Sequence, residues 1–174
     1  MSTITTDSIP RVYVGTYAKY NAGSIAGKWI DLEEFAGDKS GFLDKCKELH
    51  ADEADPELMF QDFEGFPRAF YGESGLDDGL FEWLELDEDD RELLSVYQSA
   101  IGCDGDIDDA REAFQGRFDS EADFCESIAE ETGAVAKDFP SWISIDWDAT
   151  WNCSLKYDYV SERHNGEVWI FRRM

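Results

Sequence analysis

The sequence predicts an α+β fold built as a chain of three small subdomains, elongated rather than packed around one centre. Three observations predict it. Strand-like and helix-like periodicity share the first third, the middle shows helical spacing without strands, and an Asn-Gly hairpin closes the C-terminus. Residues 1–68 read as an N-terminal α+β subdomain, 69–116 as an acidic helical middle, and 117–174 as a C-terminal α+β subdomain. The chain has 174 residues, 43% hydrophobic and 14% aromatic, which is enough apolar surface for a packed core and unlike a disordered acidic tail.

In the first subdomain, 11–17 (RVYVGTY) and 25–32 (IAGKWIDL) read as strands joined by a turn through Asn21 and Gly23. Residues 39–50 place Phe42, Leu43, Cys46 and Leu49 on one helical face, and 57–63 (ELMFQDF) reads as a third strand stopped by Gly65 and Pro67. From Gly72 to about Gly116 the spacing is helical. Asp77–Leu86 turns Leu80, Phe81 and Leu84 inward. Asp87 caps a helix to Ile101 with Leu93, Tyr97, Ala100 and Ile101 inward, ended by Gly102. A third helix follows Asp106, with Ile107, Ala110 and Phe114 on its buried side. In the last subdomain Ser120 caps a helix that ends at Gly133, with Phe124, Ile128 and Ala129 inward. Residues 140–154 are Trp-rich and read as short helical turns. The closing hairpin runs SLKYDYVSE, His164-Asn165-Gly166, EVWIFRR; Asn-Gly suits the two positive-φ positions of a tight hairpin turn.

The charge points outside the chain. With 40 Asp+Glu against 15 Lys+Arg, the net charge is −25. That far exceeds the roughly 2–8 that keeps a small domain soluble, and self-repulsion costs stability, so the charge serves a partner. Residues 1–72 carry −6, 73–131 carry −18 and 132–174 carry −1. Asp78, Glu82, Glu85 and Asp89 follow i, i+4, i+7, i+11, and Asp119, Asp123, Glu126 and Glu130 repeat that spacing, each a carboxylate stripe opposite apolar residues. Glu92, Asp104, Asp106, Asp108, Asp109 and Glu112 extend the acidic surface between them. B-DNA presents one negative charge per roughly 1.7 Å of axis. Rows of carboxylates on a rigid body offer a DNA-binding groove a similar potential. Nucleic acid and anionic membranes are repelled by such a surface, and a basic protein surface is attracted. One stripe alone would read as an ordinary solvated face; the near-absence of interleaved bases is what that reading leaves unexplained.

Other chemistry finds little footing. Cys46, Cys103, Cys125 and Cys153 form no CxxC pair, and only His50 and His164 could join them, so no metal site and no cofactor is expected. Asp104-Gly-Asp106-Ile-Asp108 opens like an EF-hand loop, but Asp109 stands where Gly is needed and Gln115 where a bidentate Glu is needed. No nucleophile–base constellation stands out, and His50 reads as a helix-end residue, so the chain is not expected to be an enzyme. No signal peptide or membrane-length apolar run is present, and the expected compartment is the cytoplasm.

Val12-Tyr13-Val14-Gly15-Thr16-Tyr17, then Tyr20-Asn21-Ala22-Gly23 and Gly27-Lys28-Trp29-Ile30, resemble the opening strand pair of the ArdA-type antirestriction proteins. Phe124 to Gly133 (FCESIAEETG) resembles that family's signature helix, carrying Phe124, Ile128, Glu130, Glu131, Thr132 and Gly133 into its antirestriction motif. Residues 73–116 do not match residue by residue, so acids there rest on the stripes alone. The resemblance implies a protein of mobile genetic elements acting in the bacterial host cell. It implies an elongated homodimer whose carboxylates imitate bent B-DNA and occupy the DNA groove of Type I restriction–modification enzymes, with the specificity and methyltransferase subunits as partners, blocking restriction and often modification. The near-neutral C-terminal region, with Trp142, Trp147, Trp151 and Trp169, is the expected dimer contact. The competing reading is an acidic binding or immunity protein for a single basic partner, which would show one compact hot spot.

Overall fold

The order of elements follows from where the sequence alternates and where it caps. A computed structural model describes residues 8–102 and 105–174. It divides into two compact units, one ending at Glu88 and the other beginning at Asp89. The region 69–116 is therefore shared between them, its first helix with one unit and the next two with the other. Each unit contains 20 acidic residues, against 7 basic residues in the first and 8 in the second.

In the first unit β1 (Arg11–Thr16) lies between β2 (Lys28–Asp31) and β3 (Leu58–Glu64), all antiparallel. Leu32 N–H donates to Pro10 C=O at 2.9 Å, in register with Arg11↔Asp31. That makes Tyr13/Trp29 a non-hydrogen-bonded pair, where side chains approach most closely, and their rings meet edge-on at 5.6 Å. The link from β1 to β2 is not the simple turn expected from Asn21 and Gly23. The Thr16 hydroxyl accepts from Lys19 N–H and caps a one-turn helix, α1 (Tyr17–Asn21), which Gly23 ends at φ +82°.

α2 (Lys39–Leu49) packs Phe42 and Cys46 onto the sheet; the Phe42 ring lies 6.0 Å from Phe60 and 5.6 Å from Phe81. Phe81 comes from α3 (Asp78–Leu84), capped by Asp77, which buries Leu80, Phe81, Trp83 and Leu84. Val12 and Val14 complete this core.

The second unit is built on β6 (Glu167–Arg172), central between β4 (Phe114–Phe118) and β5 (Tyr159–His164). Val168, Trp169, Ile170 and Phe171 are all buried, so both faces of β6 are covered. On one face Val168 and Ile170 join Phe124 of α6 (Glu121–Glu131), with Trp151 of α7 (Trp147–Cys153) packed against them. On the other face, Phe171 lies 5.3 Å from Tyr97 of α4 (Glu88–Ile101), and Phe114 lies 5.5 Å from both Trp169 and Phe171. α5 (Ile107–Ala113) follows its Asp106 cap and leads directly into β4.

Three expectations are corrected here. β4 is a strand where none was expected: Gly116, at φ +139°, sits at a register shift in the ladder, and a Gly there reads locally as a stop. α4 buries Leu94, Val96 and Tyr97, with Leu93, Ala100 and Ile101 only half-buried, so its inward face is rotated from the expected one. α6 buries Phe124 and Cys125, and Ile128 and Ala129 are half-buried. The hairpin turn is as expected, with Asn165 at φ +50° and Gly166 at +84°.

Candidate functional site

Helix caps decide where each acidic face begins. The Ser120 hydroxyl accepts from Asp123 N–H at 3.1 Å and donates to the Asp123 carboxylate at 2.6 Å, starting α6 with an anion near its positive end. Phe124 then turns inward against Tyr159 at 4.9 Å and Phe118 at 5.3 Å. The opposite face leaves Asp123, Glu126 and Glu130 exposed; Asp119 is exposed too, but it precedes the cap and lies off the helix. Of the family-motif residues, Phe124 is core, Ile128 is half-buried against that core, and Glu130, Glu131, Thr132 and Gly133 are exposed at the helix end. The Thr132 hydroxyl donates to Ile128 C=O at 2.6 Å.

The other predicted stripe is not one helical face. Asp78 and Glu82 belong to α3, which ends at Leu84, and Asp89 belongs to α4. All four acids of that series are exposed, yet the period that joined them is broken at Glu85–Asp87.

Ion pairing sorts the predicted acids into two kinds. Lys39 bonds Asp78, and Arg111 reaches Asp108 at 3.5 Å. Asp106 is occupied by its cap and Asp109 is half-buried. Glu92 is a hub: it accepts from His164 at 2.9 Å and from Asn165 at 3.1 Å, and lies 3.7 Å from Arg117, with its side chain only 25% exposed. It holds α4 to the hairpin turn and is a structural residue rather than a free surface charge. Glu82, Glu85, Asp89, Glu112, Asp119, Glu126 and Glu130 are exposed and take part in no ion pair among the described residues. Asp104 lies outside the described residues, as does Cys103.

The tryptophans also divide. Trp142 is 82% exposed, while Trp147 and Trp151 are half-buried. Trp169 is 1% exposed, under the Arg117 guanidinium at 4.1 Å, so it is a core residue with no surface for a partner. Phe139 and Ile143 flank Trp142 and are exposed as well.

Sequence reasoning missed a polar cluster in the first unit. His50, at the end of α2, is buried; its Nδ1 faces the Lys19 ammonium at 2.9 Å and its Nε2 faces Val14 C=O at 3.2 Å. A cation on Nδ1 requires a lone pair there, so Nε2 carries the hydrogen and donates to Val14. Lys19 also bonds Asp52 at 2.9 Å, which holds the Asp52 carboxyl below its ordinary value, and Thr16 donates to Glu53 at 2.7 Å. Every partner is internal, so the cluster ties α1 and the end of α2 to β1. Burial pushes the Cys46 thiol up to about 12 and also raises that of Cys125, which makes both poor nucleophiles. Among the described residues no three His, Cys, Asp or Glu side chains are grouped to hold a metal ion, and no helix is long and apolar enough to cross a membrane.

No curated protein and no solved structure gives a significant match to the chain. One family model does, described as Antirestriction protein (ArdA), over residues 12–166. That span takes in the β1–β2 opening, both acidic regions, the α6 motif and the start of the closing hairpin. The chain belongs to the ArdA family of antirestriction proteins.

Proposed function

We propose that this protein exerts its antirestriction function as a mimic of DNA. In this reading its exposed carboxylates take the place of phosphates in the DNA groove of a Type I restriction–modification enzyme, whose specificity and methyltransferase subunits are the partners, and no reaction is catalysed. One observation carries the reading: seven exposed acids along α3 to α6 are left without a cation among the described residues, while Arg11, Lys39, Arg111, Arg117 and Arg163 sit on other acids. A surface merely selected for solubility would interleave both signs, because neighbouring like charges on a helix cost a few tenths of a kcal/mol per pair.

The reading includes a homodimer joined through 117–174. Two faces of equal high charge repel, whereas 132–174 carries only −1 and exposes Phe139, Trp142 and Ile143. A twofold assembly lengthens the decoy and suits a bipartite DNA target. The deciding experiment titrates the protein against a purified Type I methyltransferase, with duplex DNA as competitor, over a series of salt concentrations. Competition with DNA and a steep loss of affinity with salt are expected. Binding that leaves DNA in place, or that ignores salt, would refute mimicry.

A further inference from the structure

The first unit carries a surface of a different kind. Val12 and Val14 point into the core, so the alternate residues of β1 and β2 (Arg11, Tyr13, Trp29 and Asp31) share the opposite, solvent-facing side of the sheet. Trp29 is 37% exposed there and Ile25, which follows α1, is 72% exposed. Tyr13 links the two segments: its ring meets Trp29, and its hydroxyl donates to the Ile25 C=O at 2.9 Å. At the other end the Arg11 guanidinium lies 4.8 Å from the Trp29 ring centre and is anchored on Glu64 at 2.7 and 2.8 Å. The indole is thus held between two fixed neighbours before any partner arrives, which lowers the ordering cost of binding.

We infer that this Trp29-centred sheet face docks on a protein surface with an apolar centre and a basic rim, supplied by the same enzyme whose DNA groove the carboxylates occupy. The inference rests on the mimicry reading and deepens it. Charge complementarity selects the occupant. Asp31 and Asp62 are exposed beside the row, where Arg11 and Glu64 offset each other, on a unit with 20 acids and 7 bases. Nucleic acid and a second copy of this chain both present the wrong sign to that rim. Aromatic anchors ringed by polar residues are where protein interfaces concentrate affinity, and they do so without dependence on salt. The carboxylates set how steeply binding falls with salt; this face adds a constant factor at every salt.

The test measures affinity of the full chain for a purified Type I methyltransferase across a salt series, for wild type, Trp29→Ala and Ile25→Ser. Ile25 sits in an exposed loop, so its variant keeps the test decisive if Trp29→Ala fails to fold. Each variant should weaken binding at least about tenfold at every salt, with the slope of log affinity against log salt unchanged. Wild-type affinity in the folded variants, with the steep slope intact, overturns the docking face and leaves mimicry standing. A flat slope in the wild type, or no binding by it, refutes mimicry and this inference with it. A change of sedimenting mass in either variant would assign the face to a second copy and overturn the proposal.

Discussion

Neutralising Asp119 together with the exposed acids Asp123, Glu126 and Glu130 of α6 separates charge that serves the fold from charge that serves a partner. The perturbation is Asp119→Asn, Asp123→Asn, Glu126→Gln and Glu130→Gln together. On the folding side, Asp123/Glu126 and Glu126/Glu130 are like-charge pairs at i, i+3 and i, i+4, and removing them relieves about 0.4–1 kcal/mol. Asp123 loses a favourable place near the helix N-terminus, about 0.3–1 kcal/mol, and Glu130 loses an unfavourable one near the C-terminus of similar size. Asn at 123 still accepts from the Ser120 hydroxyl, so the cap survives. The net expectation is a helix about 0.5–1 kcal/mol more stable, a rise in melting temperature of roughly 2–6 °C for a unit of this size. On the binding side, if each carboxylate stands in for one phosphate, the salt slope falls by roughly 3–4. Over a fourfold rise in salt the wild type then loses roughly 100-fold more affinity than the variant does. Thermal melts and competition with duplex DNA read both quantities on the same samples. A variant that melts higher and inhibits as well as wild type would refute the assignment of this face.

Other predictions follow from particular contacts. Glu92→Ala should cost about 1 kcal/mol of stability once its partial exposure is allowed for, and so lower the melting temperature, because His164, Asn165 and Arg117 lose their shared acceptor. Its inhibition, measured where the variant is folded, should match wild type; a loss like that of the α6 variant would place Glu92 at the partner after all. The Lys19 hydrogen bond holds the Asp52 carboxyl below its ordinary value, so its contribution to stability is complete above the ordinary aspartate range and disappears as pH falls through the folded value. Asp52→Asn should therefore melt below wild type at neutral pH and converge with it in acid, and an offset independent of pH would show that no charge is involved. Trp142→Ser should shift sedimentation from dimer toward monomer without lowering the melting point of the second unit at low concentration. A dimer unaffected by that change would move the contact away from Phe139–Ile143.

Much of the fold was legible because its signals are local. Ser120 was readable as a cap because a side-chain acceptor needs only the next two or three N–H groups. Asn165-Gly166 was readable because two consecutive positive-φ positions admit few residues. β4 was hidden by Gly116, whose conformation makes sense only beside β6. The first acidic stripe was miscounted because the spacing continued across Glu85–Asp87 after the helix had stopped. Which acids are free could not be read at all: Glu92 is bonded by His164, 72 residues away, and Asp90 by Arg111, 21 residues away. Spacing reports which side chains share a face, and only the fold reports which of them meet a cation.

Five of the bases stand between elements rather than along one face. Arg11–Glu64 joins β1 to β3, Lys39–Asp78 joins α2 to α3, Arg111–Asp90 joins α5 to α4, Arg117–Glu92 joins β4 to α4, and Arg163–Glu121 joins β5 to α6. Each is a clamp between two elements, where repulsion would otherwise separate them. Along the outward faces of α3 and α6 no clamp lies on Glu82, Glu126 or Glu130, and the repulsion there is tolerated. Exposed pairs are worth little individually, and salt screens attraction and repulsion alike. Because acids outside these clamps outnumber those within them among the described residues, the net effect of salt on the fold should be stabilising. Moderate sodium chloride should therefore raise the melting temperature of the free protein while it weakens binding to the methyltransferase. The opposite signs rule out salt-induced unfolding as the cause of lost inhibition. A melting temperature that falls with salt would mean that the clamps, rather than the free acids, dominate the electrostatics of the fold.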